Sequence, residues 1–158
     1  MKRDIRYLQE RSVNINRITD RLVETFNRFA DEYLKTSGKI DPIYYKKEGK
    51  IVEYVYYEED GIPEEVIVLA LDNNGLWILA AMHEEIEENQ FPTLTKGNQL
   101  KFSELPTRLK YQIIGDLPHI LESFSVEMKS VEDEAQEMLS KLETIVHSLD
   151  PPHNDSDE

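Results

Sequence analysis

Residues 65–82 read EVIVLALDNNGLWILAAM, and this stretch decides the fold. The run VIVLAL at 66–71 is too short and too rich in β-branched residues to favour a helix, so it predicts a central strand buried on both faces. Asn73-Asn74-Gly75 follows directly, and Asn-Gly suits the positive φ angles of a type I′ turn. Leu76–Met82 is then the returning strand, so the stretch predicts a β-hairpin.

Two more strands are predicted before this hairpin. They are Ile43–Lys47 and Ile51–Glu58, separated by a tight turn at Glu48-Gly49 and followed by a second turn at Asp60-Gly61. Consecutive strands joined by short turns predict a four-stranded antiparallel β-meander over residues 43–82.

The predicted sheet is rich in tyrosine. Strand alternation places Tyr54 and Tyr56 on one face, and Tyr57 with Val55 on the other. A tyrosine-bearing face is typical of a recognition surface, but packing of the sheet under helices explains the same pattern. We favour the packing interpretation.

Helices are predicted on either side of the sheet. Apolar residues at steps of three and four from Ile15 to Tyr33 predict a long N-terminal helix, which Ile5 and Leu8 allow to extend backwards. From Leu117 to Leu149, alternating steps of four and three form a heptad seam typical of a long, regular helix. Gly115-Asp116 and Pro118 predict a break between a short helix over 104–114 and this last helix.

The fold class is therefore α+β, with a long N-terminal helix, a four-stranded antiparallel β-meander and C-terminal helices that end in a long heptad-patterned one. We expect the helices to cover one face of the sheet. The chain has 158 residues, which fits a single domain over 1–149, and the acidic, proline-containing segment 150–158 is predicted to be a disordered tail.

The composition excludes several classes of site and of cellular location. There is no cysteine, which excludes disulfides and thiolate metal sites and fits a reducing compartment. No apolar run is long enough to predict a membrane span, and no apolar segment follows the basic N-terminus to make a secretory signal. We expect a cytoplasmic protein.

The charge is strongly negative and unevenly distributed. With 18 Lys and Arg against 32 Asp and Glu, the net charge is −14. Residues 48–90 hold 12 acidic groups and one basic group, and residues 122–158 hold 11 and two. This charge opposes direct binding to nucleic acid or to an anionic membrane. It favours a protein partner with a basic surface.

The leading hypothesis is a non-enzymatic, acidic protein-binding module. Carboxylates arrayed on a rigid surface imitate a nucleic acid, so an inhibitor or an immunity or anti-defence protein that engages a nucleic-acid-binding surface is one form of this hypothesis. No catalytic residue, metal site or cofactor is predicted. The predicted partner contacts are ten acidic residues: Glu53, Glu58, Glu59, Asp60, Glu64, Glu65, Glu84, Glu85, Glu87 and Glu88.

Two alternatives remain open. His83 stands among carboxylates, which suggests a small metal-dependent hydrolase, although position 87 is Glu where a zinc-binding helix has its second His. The heptad seam suggests a structural subunit of an oligomer, and a homodimer through residues 117–149 is one form of it. Packing of the seam on the N-terminal helix and the sheet of the same chain is the simpler explanation.

Overall fold

The predicted hairpin forms the centre of a four-stranded antiparallel sheet in the computed structural model, which describes residues 1–150. Strand β5 (Ile62–Asp72) pairs with strand β6 (Gly75–Met82) from Glu65 to Asp72. The α+β class is therefore confirmed. The predicted tail, apart from Asp150, lies outside the described residues.

One edge of β5 is shared by two short strands. Strand β1 (Ile43–Tyr44) pairs with Leu71 and Ala70, and strand β4 (Tyr54–Glu59) pairs with residues 62–67. Strand β6 occupies the other edge of β5, and the outer side of β6 is itself paired at Leu79 with Gln99 of a later loop. The order differs from the predicted meander, since β1 pairs with β5 and not with the strand that follows it.

The predicted strand 43–47 is divided at Tyr45. Lys46 and Lys47 form strand β2 (Lys46–Lys47), which pairs with strand β3 (Lys50–Ile51) in a separate hairpin. The chain leaves β5 at Tyr45: its amide still donates to the Leu69 carbonyl at 2.8 Å, but its own carbonyl accepts from the Val52 amide at 2.9 Å. The Ser123 hydroxyl then accepts a hydrogen bond from the Lys46 amide at 3.1 Å and donates one to the Lys46 carbonyl at 3.0 Å, which joins β2 to the last helix.

The predicted turns form, but the central one differs from the predicted type. Glu48 with Gly49, and Asp60 with Gly61, have positive φ angles at both central positions, as a type I′ turn requires. At the central hairpin only Gly75 has a positive φ, of 108°, so the predicted type I′ turn there is wrong.

The reason lies in Asp72, a buried residue at the end of β5. Its Oδ1 accepts hydrogen bonds from the Asn74 amide and from Trp77 Nε1, both at 2.8 Å. This side-chain-to-backbone bond imposes its own turn geometry on Asn73 and Asn74.

Different elements pack on the two faces of the sheet. One face presents Ile67, Leu69 and Ile78 to the N-terminal and last helices. The other presents Val66 and Val68 to a smaller cluster, which contains Ile86 of the short helix after β6 and Leu94 of the following loop. The prediction that helices cover one face holds for the two long helices, and β5 is buried on both faces as expected.

The helices are α1 (Lys2–Tyr33), α2 (His83–Glu87) and α3 (Thr107–Leu149), with a 3₁₀ turn at Phe102–Glu104. The predicted break at Gly115 and Pro118 is wrong, because α3 continues through both residues. Leu109 and Ile113 before the proline, and Ile120 and Phe124 after it, are all buried in one core. Each such side chain contributes about 1.5–3 kcal/mol on full burial, and together they offset the hydrogen bond that the proline removes.

Both long helices extend beyond the core. No side chain of residues 1–25 or 125–150 is buried, although both segments are helical nearly throughout. We call residues 2–21 the α1 arm and residues 129–149 the α3 arm. No helix within residues 1–150 is both long enough and apolar enough to cross a bilayer.

Candidate functional site

The fold gathers most of the predicted acidic contacts at one end of the sheet. The β4–β5 turn carries Glu58, Glu59 and Asp60 on one side and Glu64 and Glu65 on the other. Glu65 pairs with Met82, the last residue of β6, so α2 begins beside the same end. On α2, Glu85 lines one groove with Glu65 and Met82, whereas Glu87 lines another with Lys46 and Lys50. Glu84 and Glu88 are exposed on the same short helix. We call the surface around the β4–β5 turn the acidic end, and its members are Glu58, Glu59, Asp60, Glu64, Glu65 and Glu85.

The carboxylates at the turn are crowded. The pKa of Glu64 is raised because its carboxyl group shares a hydrogen bond with Glu59, and because partial burial and the negative charges of Glu59 and Glu65 disfavour its ionised form. Like charges held close together are one cause of a raised carboxyl pKa, beside burial. A cation placed against this turn would relieve the repulsion.

Apolar side chains are exposed within the acidic end. Tyr57, Glu65 and Met82 face one another across three neighbouring strands. Tyr57 is 51% exposed, Met82 45% and Ile62, beside the turn, 66%. An exposed aromatic and two aliphatic side chains among charges resemble the apolar centre and charged rim of a protein interface.

The position of Tyr57 corrects the predicted alternation. A β-bulge interrupts the ladder between Val55 and Tyr57, so Tyr57 pairs with Glu65. Residues paired in an antiparallel ladder share a face, which places Tyr57 on the side of Tyr54 and not with Val55. The sequence carries no distinct signal for this bulge.

Glu53 differs from the other predicted contacts. It precedes β4, its side chain is only 24% exposed, and its Oε1 lies 2.7 Å from Nδ1 of His83. The other ring nitrogen of His83, Nε2, lies 2.8 Å from Glu87 Oε1. The imidazole therefore ties the β3–β4 connection to α2, so we interpret Glu53 as a structural residue.

The two carboxylates also control the protonation of His83. Its pKa is raised, first by the hydrogen bond to Glu53 and then by the charges of Glu53 and Glu87, against an opposing effect of desolvation. With a carboxylate at each ring nitrogen, neither nitrogen is free to bind a metal. Within residues 1–150 no group of three His, Cys, Asp or Glu side chains is arranged to hold a metal ion.

One polar pair was missed by the sequence reasoning. Tyr54 is buried, and its hydroxyl donates a hydrogen bond of 2.8 Å to Asp116 Oδ2. Burial and this bond raise the pKa of Tyr54 well above its usual range. The pair joins β4 to α3, and Asp116, which the sequence placed at the predicted break between two helices, lies inside a continuous one.

This chain matches no protein family, no curated protein and no solved structure.

Proposed function

We propose that this protein is a non-enzymatic protein-binding module whose acidic end engages a basic surface of a partner protein. The observation that carries the proposal is the exposed row of Tyr57 and Met82 beside Glu65, set among crowded carboxylates. Charge alone is equally consistent with a solubilising surface. Exposed apolar side chains in the same place do not help solubility, and they supply the area that a stable interface must bury.

The chemistry of the partner follows from the surface. Lysine or arginine side chains approaching the turn would neutralise carboxylates that repel one another, as the raised pKa of Glu64 indicates. A basic patch that normally binds nucleic acid has this character, so inhibition by occupying such a patch is the specific form we propose. We assign the protein to the cytoplasm, in keeping with its lack of cysteine.

The test compares three forms of the full chain as bait in the cells that produce it. They are the natural protein, an acidic-end variant and a control variant with five exposed acids neutralised elsewhere. The acidic-end variant is Glu58→Gln, Glu59→Gln, Asp60→Asn, Glu64→Gln and Glu65→Gln. The control is Glu24→Gln, Asp31→Asn, Glu32→Gln, Asp41→Asn and Glu48→Gln.

We expect a basic protein to be recovered with the natural and control baits and lost with the acidic-end bait. Recovery should fall as salt rises from about 0.1 to about 0.5 M, since salt screens exposed charges. Excess duplex DNA should release the partner if its nucleic-acid site is the one occupied. Equal recovery with the acidic-end and natural baits would refute the proposal, and loss with both variants would reduce it to a general effect of net charge.

A further inference from the structure

The α1 arm and the α3 arm are long helical segments with no buried side chain in the single chain. In the α3 arm, the heptad seam that is packed at Phe124 continues outward as an exposed stripe. Its large members are 49–77% exposed: Val131, Met138, Leu142, Ile145 and Leu149. In the α1 arm, Ile5, Leu8, Val13, Ile15 and Ile18 are each more than half exposed.

Such helices are poorly stable alone. A helix of about 20 residues in water gains most of its stability from packing its apolar face. Among the described residues, Ile18, Leu22, Phe26 and Phe29 of α1 line a groove together with Ile114 and Leu117 of α3. The large apolar residues of both arms are about half exposed or more. The predicted packing of the whole seam on the N-terminal helix and the sheet is therefore wrong for both arms, and their apolar stripes lack an occupant from the described part of the same chain.

The arms carry opposite charge. The α1 arm has six basic and three acidic residues, a net charge of +3, whereas the α3 arm has two basic and five acidic residues, a net charge of −3. Both lysines of the α3 arm are already paired with acids one turn away, Lys129 with Asp133 and Lys141 with Glu137. Lys129 also lies 4.0 Å from Glu132, and Glu134 and Glu143 are exposed.

The arms also match in length. At a rise of about 1.5 Å per residue, the 20 residues of the α1 arm and the 21 of the α3 arm each span about 30 Å. Each is about three heptads long, which is enough for a paired coiled coil. Charge and length thus make each arm complementary to the other, although the fold keeps them apart within one chain.

We propose that the occupant is a second copy of the chain, with the α1 arm of each copy packed against the α3 arm of the other. The exchange is reciprocal, so two copies form a closed two-fold dimer with no arm left over. Pairing of two α3 arms would place net −3 against net −3, and pairing of two α1 arms would place +3 against +3, which like-charge repulsion disfavours. The proposal extends the predicted homodimer through 117–149 by naming residues 2–21 as its partner.

The first test is the mass of the full chain in solution, measured by light scattering over about a hundredfold range of protein concentration. We expect twice the chain mass of 18.5 kDa. L142E with I145E places charges in the α3 seam at exposed positions and should give a monomer with an intact core. S140E with T144E adds the same charge off the seam and should remain dimeric.

The second test reverses the charge of each arm. One variant carries R3E, R11E and R17E, which changes the α1 arm from +3 to −3, and the other carries E132K, E134K and E143K, which changes the α3 arm from −3 to +3. In each variant alone both arms have one sign, so we expect monomers. An equimolar mixture restores both opposite-charge pairs and should form a heterodimer, seen by native mass spectrometry.

Two results would overturn the proposal. The natural chain could stay monomeric at every concentration, or the α1-reversed variant alone could stay dimeric, which would place the α1 arm outside the interface. The acidic-end variant of the preceding section should dimerise like the natural protein. Failure of the partner proposal and failure of the dimer proposal are therefore separable.

Discussion

Removing one oxygen from Tyr54 tests the polar link between β4 and α3. In the Tyr54→Phe variant the buried ring keeps its packing, and only the hydrogen bond to Asp116 is lost. A hydrogen bond to a charged acceptor contributes about 1.5–3 kcal/mol. Asp116 is half-buried, so water recovers part of that interaction, and we expect a loss of about 1.5 kcal/mol in the free energy of unfolding.

The assay is urea unfolding followed by far-UV circular dichroism. Measurements at two protein concentrations separate folding from association. A change of this size corresponds to a fall of about 3–6 °C in the melting temperature of a domain of this length. Tyr57→Phe is the matched control, because Tyr57 is exposed and its hydroxyl should contribute less than about 0.5 kcal/mol.

A double-mutant cycle with Asp116→Ala assigns the effect to the pair. Removing Asp116 leaves the Tyr54 hydroxyl buried without its acceptor, so this variant should lose about 1–3 kcal/mol. The double variant should then be more stable than the sum of the two single losses predicts, by about 1 kcal/mol. A Tyr54→Phe loss no larger than that of the control, or a coupling energy of zero, would show that the 2.8 Å contact is not an effective hydrogen bond in solution.

Three further predictions concern the contacts of His83 with Glu53 and Glu87 (the His83 brace), the core and the central turn. The raised pKa of His83 means that its protonated form stabilises the fold below about pH 6.5, its unfolded value, and that this contribution is lost as pH rises through the higher folded value. His83→Asn should therefore destabilise the protein more at pH 5.5 than at pH 8.5 in chemical unfolding, and an equal loss at both would contradict the brace. Ile113→Ala should lower the free energy of unfolding by about 2–5 kcal/mol because the side chain is fully buried. Ile145→Ala in the α3 arm, introduced into a variant that is already monomeric, should leave the denaturant midpoint of unfolding nearly unchanged. Gly75→Ala should lower the free energy of unfolding by about 1–2 kcal/mol because φ is 108° there. A melting temperature equal to that of the natural protein would show that the turn relaxes without strain.

The two proposed surfaces rest on separate parts of the molecule. The acidic end is formed by the β4–β5 turn and α2, and the arms are formed by the distal halves of α1 and α3. A dimer would carry two acidic ends. A partner that has two basic surfaces could bind both ends at once, which raises its effective affinity. The arm variants should therefore weaken capture of such a partner even though the acidic end is intact.

The sequence by itself determined the elements that depend on local periodicity. Alternating and continuous apolar runs predicted the β5–β6 hairpin, and steps of three and four predicted both long helices, because these patterns follow directly from the geometry of strands and helices. It also determined that the acidic residues fall in separate blocks. It did not determine that the register of β4, β5 and β6 brings the acids of the β4–β5 turn together with Glu85 at one end of the sheet.

Tertiary contacts decided most of the remainder. The first predicted strand divides where the Tyr45 carbonyl bonds to Val52 and Ser123 binds the Lys46 backbone. The central turn is instead set within the hairpin, because the Asp72 side chain accepts hydrogen bonds from Asn74 and Trp77. Core packing before and after Pro118 keeps α3 continuous where Gly and Pro predict a break. The heptad seam predicted an apolar face, and the fold leaves the outer half of that face exposed. The length of a seam is a local property of the sequence, whereas the part of it that is buried depends on which other elements pack against it.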